Sequence, residues 1–357
     1  MRSKPIGYLI GILLLALWTG CGPEAEEGQL VTRGVYVLNQ GNFQRGNAEI
    51  TIYDPQTGAV QQNAFQSRNG RPLGDIAQSM TIIDTRGYIV VNNSHRIEVV
   101  DLEDGLRSLG TITISNNASP RYLVPVGPTR AYVTNLFGNS VSVVDLTQNR
   151  EIKTIPVGRN PNGIAVAQGK AYVANTGFGS SRTVSVIDIS KDEVVRTLEM
   201  PFDGPTHVFV DDDGQVWVVC SGRTDYQNPA NSTPGGFVVL DPRTDAIVST
   251  IAANRGLGGK AFGGDVAVGP GVAFVLHGEG LMRLNTRTNT LENATLIGGA
   301  FGAVGYDPVR EEIYLTDVKD FVQSGEVFIY TLSGVRRGSF PAGIIPGAVV
   351  VNVVRES

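Results

Sequence analysis

The chain has 357 residues, a formal net charge of -5, 44 glycines, 18 prolines and only 18% charged residues. That balance excludes a nucleic-acid binder driven by bulk positive charge, and so much glycine with so little charge excludes a coiled coil or long helical bundle. With 41% hydrophobic residues the chain has enough apolar surface to bury a core and is not a disordered polymer.

The first element is a targeting segment over residues 1–20. Arg2 and Lys4 precede an apolar run from Ile6 to Trp18, and Thr19, Gly20 and Cys21 follow. As a helix that run rises about 20 Å, short of a roughly 30 Å hydrocarbon core, so it reads as a secretory signal. Small residues directly before Cys21 resemble a bacterial lipoprotein box, with Trp18 where that box usually carries Leu. The resemblance implies cleavage before Cys21 and lipidation of its thiol, hence an anchor at the outer membrane, on the cell surface or the periplasmic face. Residues 21–30, with Glu24, Glu26 and Glu27, are expected to be a flexible acidic tether. Acidic residues just behind the lipidated Cys resemble the surface-export tether of Bacteroidetes lipoproteins. Residues 31–357 are left as one folded domain. Its single thiol, Cys220, has no partner for an internal disulfide and ends an apolar strand, where a buried, inert cysteine is expected.

That domain is repetitive. Ala131-Tyr132-Val133-Thr134-Asn135 is followed, after a short loop, by Val141-Ser142-Val143-Val144-Asp145, and the pattern returns at Ala171 to Asn175 with Val184 to Asp188. Weaker copies are anchored by Tyr36, Tyr88, Trp217, Phe274 and Tyr314, which makes seven. A period of roughly 40–45 residues, lengthened by loop insertions, with strand-like alternation predicts a seven-bladed all-β propeller. Each blade reads as four strands, with glycine-rich inner strands at the crowded axis. No stretch carries a sustained helical period. The domain enters at a second strand, 35–39, and leaves at an inner strand, 347–353, so the C-terminal strand is expected to complete the N-terminal blade and close the ring.

Tyr132-Val133-Thr134-Asn135, the strand after it and Pro161-Asn162-Gly163-Ile164-Ala165-Val166 resemble the YVTN-type, quinoprotein-like seven-bladed propellers. Gln40-Gly41-Asn42-Phe43, Gly46-Asn47-Ala48, Asn69-Gly70-Arg71-Pro72-Leu73-Gly74-Asp75 and Asn92-Asn93-Ser94 resemble Bacteroidetes surface lipoproteins of this class, some of which capture cobalamin for a TonB-dependent transporter. The resemblance implies a non-enzymatic binder with a corrinoid as ligand, no resident cofactor, and a TonB-dependent transporter as partner.

Two loop sets, second-to-third and outer-to-next-inner, share one face and are rich in Asn, Arg and aromatic residues. Long loops gathered at one end of a rigid frame point to binding. The repeated Asn39, Asn92, Asn135 and Asn175 occupy one equivalent position and are expected to satisfy loop backbone. The ligand candidates are the non-repeated Phe43, Arg71, Arg96, Arg121, Tyr122, Phe137, Phe178, Arg182, Tyr226, Arg255 and Phe262, together with His207 and His277; His95 lies on the same face. His207, His277 and Glu279 lie in neighbouring blades and could approach to hold a metal or supply a general base, as a propeller lyase or lactonase would need. No metal-ligand spacing is present. Two readings therefore stand beside ligand capture: that enzyme, and a scaffold whose loop face grips another envelope protein.

Overall fold

The computed structural model describes residues 28–261 and 263–356. The signal segment, Cys21, most of the tether and Phe262 lie outside the described residues. Seven four-stranded antiparallel sheets form the blades of a β-propeller. The repeat copy around Tyr132 runs Pro120–Gly127, Arg130–Asn135, Ser140–Asp145 and Arg150–Pro156 from the axis outwards, and the next runs Pro161–Ala167, Lys170–Asn175, Thr183–Asp188 and Glu193–Glu199. The ring closes as the sequence predicts. Pro346–Glu356 is the inner strand of the first blade and pairs with Gln29–Asn39 from Gln29 opposite Glu356 to Asn39 opposite Pro346.

The seven aromatic anchors are all buried between blades. Two of them carry the same inter-blade lock. The Tyr172 hydroxyl donates to Asp245 Oδ1 at 2.6 Å, and Lys170 Nζ lies 2.7 Å from the same oxygen. The Tyr132 hydroxyl donates to Asp192, which Arg130 also holds at 2.5 Å. Each acceptor sits in the third-to-outer turn of the following blade, so a buried phenol finds its partner across the seam rather than within its own sheet. Turns at that end are closed by Asx geometry: Asp54 Oδ1 takes the Gln56 N–H at 2.8 Å and Asp145 Oδ1 the Thr147 N–H at 2.8 Å. Cys220 is fully buried, and burial pushes its thiol up to about 12.

One local feature adds to the sequence reading. The outer strand of the first blade is only Val60–Gln61, and the chain then forms a helix, Ala64–Asn69. Six residues are too few to show a helical period in sequence. The helix exists because Ala64 and Phe65 are buried against the first two blades. Asn69 donates back to the Phe65 carbonyl at 2.8 Å, and Gly70, at φ 66°, ends the turn in the left-handed region. Among the described residues no helix is long and apolar enough to cross a membrane.

Candidate functional site

The inner strands begin at the loop-rich face with a repeated local device. Ser119, Asn160, Gly204 and Ile345 take positive φ, and each is followed by a proline, Pro120, Pro161, Pro205 or Pro346. These prolines pair with the last residue of the neighbouring second strand: Asn135, Asn175, Cys220 and Asn39. A register shift follows the proline in the blades starting at Pro120, Pro161 and Pro205. A bulge re-aims the next side chains, here towards the axis. Arg121 Nε donates to Asn162 Oδ1 at 2.8 Å, and its Nη1 donates to Gln78 Oε1. Asn162 Nδ2 donates to the Thr206 carbonyl at 2.9 Å, which joins a fourth blade to those of Gln78, Arg121 and Asn162. The Tyr122 hydroxyl donates to the Gly263 carbonyl at 2.6 Å and lies 3.1 Å from His207 Nε2, which is itself 2.9 Å from the same carbonyl. Burial raises the Tyr122 pKa, with Arg121 opposing, so the phenol is neutral.

Gly263 belongs to the long loop over residues 253–265. A Cβ there would stand 2.6 Å from Gln78 Nε2 and 3.3 Å from the Gly347 carbonyl, on the far side of the ring. Only glycine lets this backbone cross the axis so closely. Gly264 N donates to the Gly347 carbonyl at 2.9 Å, and Val304 N to the Gly264 carbonyl at 2.8 Å. The loop therefore plugs one half of the axis, and polar side chains line the other.

Around this centre runs an aromatic rim. Phe43, Phe137, Phe178, Tyr226 and Phe321 are the exposed aromatic side chains of the described residues, and all five stand on second-to-third loops of this face. The Phe137 and Phe178 rings lie 6.2 Å apart on adjacent blades. Asn42 Nδ2 donates to the Phe321 carbonyl at 2.7 Å, which brings the loops of Phe43 and Phe321 together. Gly138 and Asn139, on the Phe137 loop, help line a cleft of ≈ 220 Å³ with Asn116 and Glu151. The opposite face has tight turns rich in Asp, such as Asp211-Asp212-Asp213-Gly214.

Several candidates turn out to be engaged in holding the frame. Arg71 Nη2 lies 2.6 Å from Glu98 Oε1, its guanidinium sits over the Phe65 ring, and Arg96 Nη2 donates to the Leu73 carbonyl at 2.7 Å while its Nε approaches Glu98 Oε2 at 3.9 Å. Glu98 is fully buried, so these two arginines supply its counter-charge. Arg182 is paired with Asp203 at 2.6 Å. Arg255 contacts Glu279 at 3.6 Å and His277 Nδ1 at 3.4 Å. Desolvation, then Arg255, lowers the His277 pKa. His95 Nδ1 accepts the Ser119 N–H at 3.3 Å. His207 and His277 do not share partners: the first bonds within the axial group, the second with Arg255 and Thr295. Among the described residues no group of three His, Cys, Asp or Glu is placed to hold a metal. The repeated asparagines are structural: Asn135 Nδ2 donates to Ser142 Oγ at 2.7 Å and Asn175 Nδ2 to Ser185 Oγ at 3.0 Å.

A family model described as a domain of unknown function, DUF5074, matches residues 33–331. The chain belongs to the DUF5074 family. None of the curated proteins matches its sequence. Solved structures share its fold. A quinonprotein alcohol dehydrogenase-like protein from Bacteroides thetaiotaomicron is 15% identical, with a TM-score of 0.66 over 92% of this chain and 79% of that one. A functionally unknown protein from Desulfotomaculum acetoxidans is 13% identical, with a TM-score of 0.67 over 90% and 99%. A periplasmic gluconolactonase from Pseudomonas aeruginosa is 12% identical, with a TM-score of 0.63 over 90% and 99%. At these identities the likeness is one of architecture, and a propeller frame carries many chemistries.

The Glu98 network of this DUF5074 chain gives Arg71 a role in stability that can be checked directly. Arg71→Ala leaves a buried carboxylate with Arg96 and the Ser108 hydroxyl as its remaining partners. It should lower stability by about 2–3 kcal/mol, below the roughly 3–5 kcal/mol for breaking a fully buried pair, because Arg71 itself is 40% exposed and Ser108 still donates to Glu98. Urea unfolding measures it; an unchanged midpoint would mean that Glu98 is satisfied without Arg71.

Proposed function

We infer that this DUF5074 protein is a non-enzymatic, lipid-anchored, extracytoplasmic propeller that captures a ligand on its loop-rich face. The ligand class is a corrinoid, and the receiving partner is a TonB-dependent transporter. The observation that carries the reading is the rim: every exposed aromatic side chain among the described residues stands on one face. Scattered apolar residues are ordinary on a protein surface, but a gathered set marks a binding surface. A large, flat, amide-rich macrocycle suits it, because aromatic side chains supply stacking area and the Asn-rich loops supply hydrogen bonds. The adjoining cleft of ≈ 220 Å³ is smaller than a usual small-molecule pocket, so the ligand lies across the rim. A lyase or lactonase built on His207, His277 and Glu279 has less support, because the two imidazoles are held in separate networks.

Gel filtration of residues 28–357 with cyanocobalamin tests the reading. Visible absorbance should travel with the protein at near-equimolar ratio. The double variant Phe137→Ala, Phe178→Ala should bind at least about tenfold more weakly, roughly 1.4 kcal/mol, with its melting temperature unchanged because both rings are exposed. Clean separation of dye and protein would reject the corrinoid and favour the scaffold reading, in which the same rim grips an envelope protein.

A further inference from the structure

We propose that the loop-face end of the propeller axis is an oxyanion site, in which Arg121 pairs with a carboxylate or phosphate group of a bound molecule. The proposal is independent of the corrinoid reading and rests on the axial ring rather than the rim.

Arg121 projects into the axis from the start of its inner strand and is half-buried. Its hydrogen bonds to described residues run from Nε to Asn162 Oδ1 and from Nη1 to Gln78 Oε1, both neutral acceptors. No ion pair joins it to a described carboxylate; Asp265 is the acidic group whose field reaches it, and Asp265 Oδ1 is occupied by the Gly259 N–H at 2.8 Å. Gln78 is fully buried and Asn162 nearly so, so the two amides fix the guanidinium plane without neutralising it. An arginine held this way presents a rigid fork suited to planar or tetrahedral oxyanions. A partly desolvated charge with no hydrogen-bonded counter-charge is costly, and a paired anion lowers that cost.

A second observation points the same way. His207 is 9% exposed, and its Nδ1 is buried without a hydrogen-bond partner. Its Nε2 faces the Gly263 carbonyl, so Nε2 carries the hydrogen and Nδ1 is left as an unsatisfied acceptor. Buried polar atoms are nearly always paired. His207 belongs to the same axial group as Arg121 through Tyr122 and Gly263, so this group still has a buried polar atom to satisfy. The plug meets the ring at Gln78 and Gly347 through Gly263.

The test uses inorganic phosphate and, separately, acetate, at ionic strength held constant with chloride. Binding is read by phosphorus linewidth for phosphate and by the shift of melting temperature for both. The wild type should show a saturable response to at least one of them, and the response to each tells a phosphate site from a carboxylate site. Arg121→Gln should weaken it at least tenfold. Arg159→Gln, which removes an exposed arginine of the same face, should leave it unchanged. Asn162→Asp places a carboxylate beside Arg121 Nε at the cost of the hydrogen bond to the Thr206 carbonyl; the variant whose near-ultraviolet dichroism matches the wild type should lose the anion response, which gives a second reading if Arg121→Gln does not fold. A non-saturating wild-type response, an Asn162→Asp protein that binds as the wild type does, or equal loss in Arg159→Gln would overturn the site.

Discussion

A chain that stops at Ile345 should show no cooperative thermal transition and should bind hydrophobic dyes at room temperature. The missing strand, Pro346–Glu356, supplies the whole inner partner of Gln29–Asn39. It also places Ala348 and Val350 in the core between the first two blades, and Val349 and Val351 in the core between the first and last. Its backbone ties in three further elements: the Pro346 carbonyl accepts the Thr316 hydroxyl at 2.7 Å, the Gly347 carbonyl accepts the plug, and Gly305 lies so close to Val349 that a Cβ would stand 2.6 Å from its Cγ1. Losing the strand thus opens two seams at once and bares the inner edge of Gln29–Asn39. A synthetic peptide of residues 346–357 added in trans should restore the transition by strand addition. A cooperative melt without the peptide, with wild-type near-ultraviolet dichroism, would show that the open ring is stable by itself.

Trp217→Ala is the point substitution expected to cost most, about 3–5 kcal/mol. The indole is fully buried, stacks on Phe209 with ring centroids 5.6 Å apart, and donates from Nε1 to Asp211 Oδ2 at 2.7 Å. Asp211 also takes the Gln215 N–H at 2.8 Å, so the tryptophan ties the core of its blade to the hairpin that turns it. The change removes the ring, leaves a cavity and strips a carboxylate of one donor. Trp217→Phe separates these effects: it keeps most of the volume and loses the hydrogen bond, so about 1–2 kcal/mol is expected. Equal losses in the two variants would mean that the bond to Asp211, and not the packing, holds this blade.

The frame was legible because it is written seven times. Tyr132 and Tyr172 stand at equivalent places, so their register, their burial and the repeated asparagine beside them could be read from one another. The site is written once. The pairing of Arg71 and Arg96 with Glu98 is not legible, because Glu98 sits on a strand whose side chains alternate between two environments, and nothing local marks it as the buried one. Arg121, Tyr122 and His207 were recognisable as loop-face residues, but their convergence depends on bulges after Pro120, Pro161 and Pro205. The residue after the inner-strand proline was the available signal, and it would have added Asn162. Gln78 follows no proline. Phe321 was inside a loop already assigned to this face, yet its exposure is a property of the fold.

The closing strand pair also sets what the protein can be attached to. Gln29 and Glu356 face each other at the end of the first blade away from the aromatic rim. A lipid, a fusion partner or a sensor chip joined at either terminus therefore meets the acidic underside, and Phe43, Phe137, Phe178 and Tyr226 look away from it. Immobilisation by an N-terminal or a C-terminal tag should leave ligand capture equally intact, so the orientation of the rim comes from the stitch that closes the ring and does not depend on the tether.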